Sequence, residues 1–374
     1  MRKTTTKPVL TPKPESKPNP SLPDDLLLSC IARVSRLYYP TLSLVSKSFR
    51  LLLASPELYK TRSLLGHTES CLYVCLGFPN PQWYTLCRTP NRTRKTNSSG
   101  NRLVPIPSPS SPLPTNLVAV GSSIYKIGGD VDSSCSVSVL DCRSHKWHDG
   151  LSMQVEGDNF STASLVDGKI YVAGGYRDGS SVNWVQAFDP ETQAWSSVPS
   201  PSEEIGHGAS VKSLALEGKF YLFGNIKSKC QVYDPKKGRW TSLGFNPDWF
   251  NPDCRFYSRY CVIENVLFYW SLGNFFWHDA KVNAWRRLID VEGFPYFCHR
   301  GSCKLVESSG KMVVLWDKCD GEQDNMICCA EISLERRKED GYDEIFGKVE
   351  WLDVVLTVPK SWNLLITDAL SAIV

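Results

Sequence analysis

Leu27, Ile31 and Val34 recur at i, i+4 and i+7, with Leu26 and Cys30 widening the stripe. That spacing predicts an amphipathic helix. Ser21-Leu22-Pro23-Asp24 just ahead resembles a capping box, and Pro23 suits a first helical position. Tyr39-Pro40 predicts a break, because a proline disfavours helix at the residue before it. A second apolar set follows at Leu42, Val45, Phe49, Leu52 and Leu53. Residues 21–66 therefore predict a module of two or three short helices. So few residues make a marginal core, and the module must lean on a partner or another domain.

From about residue 70 the apolar period shortens to that of strands, and the chain becomes repetitive. VAVGSSIYKIGG, SLVDGKIYVAGG, LALEGKFYLFGN, CVIENVLFYWSL and KLVESSGKMVVLWD each read as strand, tight turn, strand. Their turn residues Gly121, Gly168, Gly218, Asn265 and Gly310 step by 47, 50, 47 and 45 residues. In the first four copies an aspartate turn then leads to a tryptophan. Leu140-Asp141 precedes Trp147, Phe188-Asp189 precedes Trp195, Tyr233-Asp234 precedes Trp240, and His278-Asp279 precedes Trp285. The residue before the aspartate always lies seven positions ahead of the tryptophan. A period in the high forties with four strands per unit is that of a β-propeller blade. Tyr125, Tyr171, Tyr221 and Tyr269 recur on the second strand, where large rings can fill the space between blades.

Composition sets the compartment and removes several classes of function. Of the 374 residues, 42% are hydrophobic and 22% charged, as in an ordinary globular chain. Residues 1–20 hold Arg2, Lys3, Lys7, Lys13 and Lys17 against Glu15 alone, among five prolines, and predict a disordered basic tail. With +3 overall, the remainder is close to neutral and lacks the footprint of a nucleic-acid binder. No stretch reaches the roughly 18 apolar residues of a membrane helix, and no apolar leader is visible near Met1. The 14 cysteines are scattered without a CxxC pair, which predicts reduced, mostly buried thiols in a cytosolic or nuclear protein. On that reading the sequons at Asn91 and Asn97 are chance matches.

With these patterns in place the chain resembles a known family. Gly128-Gly129 and Gly174-Gly175, the Phe188-Asp189-Pro190 and Tyr233-Asp234-Pro235 turns and the blade tryptophans resemble kelch repeats. Copies four and five have lost the double glycine, and the fifth reads as carrying an insertion at 320–348 before Trp351. Leu72 to Pro107, with Trp83, reads as a further degenerate blade. That makes six units, with five or seven also compatible. Leu22-Pro23-Asp24-Asp25-Leu26, Ile31-Ala32-Arg33-Val34 and Leu44-Val45-Ser46-Lys47-Ser48-Phe49 resemble an F-box. The order resembles the F-box/kelch-repeat proteins abundant in plants. The resemblance implies an all-β kelch propeller over 70–374 behind a small all-α F-box module over 21–66.

It also implies a function. Such a chain would be the substrate-recognition subunit of an SCF-type ubiquitin ligase. The F-box would dock on a Skp-type adaptor, and through it a cullin, while the propeller holds a target for ubiquitination. Leu22, Pro23, Leu26, Ile31, Val34, Val45 and Phe49 are the expected adaptor anchors. A kelch scaffold without ligase engagement is the alternative. A propeller oxidase would need clustered His and Tyr ligands, but His145 and His148, three apart, would face opposite ways on a strand. No catalytic residue, metal or cofactor is expected.

Strand topology suggests where a target would sit. In a four-stranded antiparallel blade, the connections between strands one and two and between three and four share one face. Those here are short, as at Asp167-Gly168 and Asp189-Pro190. The other face receives long connections carrying Arg177, His207, Trp249, Phe250, Arg255, Phe256, Arg259, Tyr296, Phe297, His299 and Arg300. Aromatics mixed with arginines are enriched at interface hot spots, so these are the expected target contacts.

Overall fold

Serines start the last two helices of the N-terminal module. In the computed structural model α1 (Asp24–Ala32) is followed by a 3-10 turn at Arg36–Tyr38, α2 (Tyr39–Leu42), α3 (Lys47–Leu53) and α4 (Pro56–Leu64). The Ser46 hydroxyl accepts from Phe49 N at 3.1 Å and the Ser55 hydroxyl from Leu58 N at 3.3 Å, satisfying donors that a helix start leaves open. Two expectations fail here. Pro23 is itself the N-cap of α1, with no side-chain cap. The chain breaks at Arg33–Ser35 rather than at Tyr39-Pro40, because Pro40 sits in the first turn of α2, where a missing N–H costs nothing. Ile31, Ala32, Tyr39, Leu53 and Leu58 form the module's small core, with Phe49 packed against it.

The structure describes residues 22–77, 81–89, 99–107, 116–128, 135–154, 161–174, 184–201, 212–223, 229–245, 260–271, 273–291, 293–295, 303–318, 324–339, 341–361 and 365–374. After the helices come β1 (Ser70–Gly77), β2 (Pro81–Arg88) and β3 (Asn101–Pro105). Four complete antiparallel sheets follow. They are β4 (Leu117–Val120) to β7 (Lys146–Asp149), β8 (Thr162–Val166) to β11 (Ala194–Val198), β12 (Lys212–Leu216) to β15 (Arg239–Phe245), and β16 (Tyr260–Ile263) to β19 (Ala284–Arg287). The sixth blade is β20 (Cys303–Ser308), β21 (Lys311–Lys318), β22 (Asn325–Glu339) and β23 (Tyr342–Val358). Finally β24 (Ile366–Ile373) pairs antiparallel with β1 and completes the first blade. The architecture is a six-bladed propeller closed by its last strand.

The repeat signature now has a mechanical explanation. The turns joining first to second strands place both central residues at positive φ: Asp167 and Gly168 at 46° and 80°, Glu217 and Gly218 at 53° and 66°. That is the two-residue hairpin whose twist matches the strands, and it favours glycine or asparagine. In the turns joining third to fourth strands, the aspartate carboxylate accepts backbone N–H bonds. Asp189 takes those of Glu191 and Thr192, Asp234 those of Lys236 and Lys237, and Asp279 that of Lys281. The seven-residue offset is a cross-strand pair, since Leu140, Phe188, Tyr233 and His278 sit opposite Trp147, Trp195, Trp240 and Trp285. The indole of Trp195 also donates to Leu151 O at 2.9 Å, reaching back to the previous blade's exit. Tyr125 and Tyr171 pack 5.8 Å and 5.5 Å from Phe188 and Phe220 of the next blades and fill those seams, whereas Tyr269 stacks on Phe276 of its own blade.

Two blades depart from the expected pattern. Trp83 lies on β2, an inner strand, and meets Trp147 of the next blade edge-on at 5.5 Å. It is therefore not the counterpart of the outer-strand tryptophans. The residues read as an insertion at 320–348 lie largely within the paired strands β22 and β23, from Asn325↔Val358 to Glu339↔Tyr342. They lengthen a hairpin that carries on past the blade, where Gly347 N donates to Ile289 O and Lys281 pairs with Asp343.

Candidate functional site

The helical module is fastened to the short-turn face. Arg62 of α4 is buried, and its Nη1 donates to Ala32 O at 3.1 Å, at the C-terminal end of α1, and to Val34 O at 2.7 Å, just past it. Its Nη2 pairs with Glu69, immediately before β1, at 2.9 Å. Glu69 also accepts from the Arg36 backbone N–H and exchanges backbone bonds with Val374. One residue thus serves both, its carboxylate holding the module and its backbone holding the end of the ring.

The turn between β6 (Val137–Asp141) and β7 completes the seam. The Tyr59 hydroxyl lies 2.9 Å from both Leu53 O and Arg143 O, and its ring joins Tyr73, Trp83, Ile124 and Leu140 in one buried cluster. His145, at φ 54°, lies with Nε2 3.2 Å from both Arg36 Nη2 and the Tyr73 hydroxyl. An arginine only donates, so Nε2 is the acceptor and the ring is neutral. Burial, and then the Arg36 charge, hold the His145 pKa down to about 4.

The expected adaptor residues divide by exposure. Leu22, Pro23, Leu26 and Val45 are exposed, Leu22 and Pro23 just ahead of α1 and Leu26 in its first turn. Val34 and Phe49 are half-buried. Ile31 is 4% exposed within the module's own core, because its side of α1 turns inward, and it is not presented to a partner. The sequence reading missed Leu44 and Leu51, 79% and 74% exposed. Leu44 lies within a quoted motif, and the i+6 spacing from Val45 to Leu51 hid the second. Every expected target contact, from Arg177 and His207 through Trp249, Phe250, Arg255, Phe256 and Arg259 to Tyr296, Phe297, His299 and Arg300, lies outside the described residues. The strand ends from which their segments depart lie at the end of the propeller opposite the module.

Family models match this organisation. The F-box domain matches residues 20–61 and the FKB95 kelch-repeats domain matches residues 83–356. The F-box/kelch-repeat protein At4g39550 of Arabidopsis thaliana is 51% identical, covering 97% of this chain and 96% of its own length. The chain belongs to the F-box/kelch-repeat family. Two further Arabidopsis thaliana members, F-box/kelch-repeat protein At4g39590 and putative F-box/kelch-repeat protein At1g61540, are 50% and 47% identical over 94% and 95% of this chain and 90% and 93% of their own.

Several cysteines of this F-box/kelch chain are buried in its core. Burial pushes the thiols of Cys75, Cys87, Cys142 and Cys230 up to about 12, so they stay protonated at neutral pH. Among the described residues, no group of three or more His, Cys, Asp and Glu side chains could hold a metal ion, and no helix is long and apolar enough to cross a membrane.

Proposed function

We propose that this F-box/kelch protein is the substrate receptor of an SCF-type ubiquitin ligase, its F-box docking on a Skp-type adaptor linked to a cullin. One observation carries the reading. The module exposes Leu22, Leu26, Leu44, Val45 and Leu51 while its other face is bonded to the propeller. Large apolar side chains left bare on a small module mark a partner surface. The target would be held at the end of the propeller opposite the module, from which the long connections depart, and the ubiquitin chemistry would belong to other subunits.

A pull-down with a recombinant Skp-type adaptor tests this. Replacing Leu26 and Val45 by aspartate buries two charges in the docked surface and should reduce capture at least about 100-fold, at roughly 1.4 kcal/mol per tenfold. Melting should not change. Equal capture by both forms would sink the assignment, and the scaffold alternative would then stand.

A further inference from the structure

A cavity of about 530 Å³ lies between the module and the propeller. That is the size of sites that take small molecules. Four arginines from four separate elements line it: Arg36 of the 3-10 turn, Arg50 of α3, Arg88 of β2 and Arg143 of the β6–β7 turn. Among the described residues none of the four forms an ion pair.

The carboxylates lining the same cavity are already engaged. Glu69 holds Arg62, Glu331 holds Lys311 at 2.7 Å, and Glu350 takes the Ser333 hydroxyl at 2.8 Å with Lys348 at 3.5 Å. Excess positive charge thus surrounds a partly enclosed space in which screening is weak. Two polar atoms of lining residues are also buried without a hydrogen-bond partner. They are Arg36 Nη1, a donor, and Asn101 Oδ1, an acceptor. Buried polar groups left unpaired cost free energy, which a ligand carrying an anion and a hydroxyl can recover with small side-chain shifts.

We propose that this cavity binds a small polyhydroxylated anion, its phosphoryl or carboxylate groups held by Arg36, Arg50, Arg88 and Arg143. Guanidinium forks match both kinds of oxyanion. Because the lining comes from both modules, occupancy stiffens the joint between the adaptor-facing helices and the propeller. A receptor with such a site couples the geometry of its ligase arm to a metabolite. The proposal stands whether or not the adaptor assignment holds.

The test uses the full chain, with glucose 6-phosphate and citrate as probes, glucose as the neutral control, and sodium chloride to match ionic strength. Calorimetric titration should show saturable binding of at least one anion, and melting should rise by at least about 4 °C at saturation. A phosphate-only response names the phosphoryl source, and a citrate-only response names the carboxylate. Arg88→Gln with Arg143→Gln, both exposed at the rim, should weaken binding at least about tenfold without lowering the melting temperature of the unliganded chain. Arg33→Gln, an exposed arginine outside the cavity, should leave it unchanged. No response beyond matched salt, or equal binding by the rim double variant, overturns the proposal.

Discussion

The helical module and the propeller treat their apolar side chains in opposite ways. In the module Leu22, Leu26, Leu44, Val45, Leu51, Leu64 and Leu65 are exposed within about 45 residues. The described part of the propeller exposes a similar number, such as Leu151, Val282 and Val354, spread over a chain several times longer. The propeller finishes its own surface because each blade's sheet faces are covered by its two neighbours, and β24 supplies the last cover. The module's core cluster is only Leu58, Ile31, Tyr39, Leu53 and Ala32, and Tyr59 is spent on the propeller. Closure finishes the propeller's surface, whereas the module's is left unfinished.

The comparison can be broken in order of severity. Removing residues 366–374 strips the inner strand from the first blade and uncovers Tyr73, Val74 and Cys75, all fully buried. Cooperative thermal unfolding should disappear in circular dichroism, and a truncated chain melting like the parent would show that closure is dispensable. Trp195→Ala removes a buried indole and its bond to Leu151, and should cost about 3 to 5 kcal/mol in urea titration. Arg62→Met strands the carbonyls of Ala32 and Val34 and unpairs Glu69, for roughly 3 kcal/mol, again read in urea.

The seam between the two regions should respond to acid. An unfolded histidine titrates near 6.5, whereas folded His145, facing Arg36, Tyr73 and Asp141, titrates at about 4. Between those values the unfolded chain binds a proton that the folded chain refuses. Stability is therefore complete above pH 6.5 and drains as pH falls toward 4, by on the order of 2 kcal/mol given the ring's partial exposure. His145→Asn tolerates the left-handed backbone and should flatten that window; an unchanged profile would place the acid sensitivity elsewhere. The smallest effect belongs to the module's bare face, where Leu44→Ser should alter stability by less than about 0.5 kcal/mol in the same titration.

What could be read in the sequence was local. The Asp189 turn, the Asp167-Gly168 hairpin and the Phe188–Trp195 pairing each close within ten residues, so they leave a fixed spacing. Pro40 misled because one residue type both ends and begins helices, and only the tertiary path of the chain decides which. Arg62 left no signal, since the carbonyls it serves lie about thirty residues earlier. β24 left none either, because its partner β1 is nearly three hundred residues away with no turn between them. His145 drew notice only as a pair with His148 too poorly placed to share a metal, and its work at the seam depends on Arg36, over a hundred residues upstream.

The clasp formed by Glu69 and Val374 sets a timetable. On the ribosome the helical module emerges first and can bury its few core residues at once, whereas the ring waits for its final strand. Five blades can form in passing, but β1 is left with one side open until residue 373 has cleared the exit tunnel. On the function proposed above, a nascent chain would present its adaptor-facing helices before the propeller has a finished surface. The joint at Glu69 also forms the last knot of the ring, so the arm is locked in place only when the ring is whole.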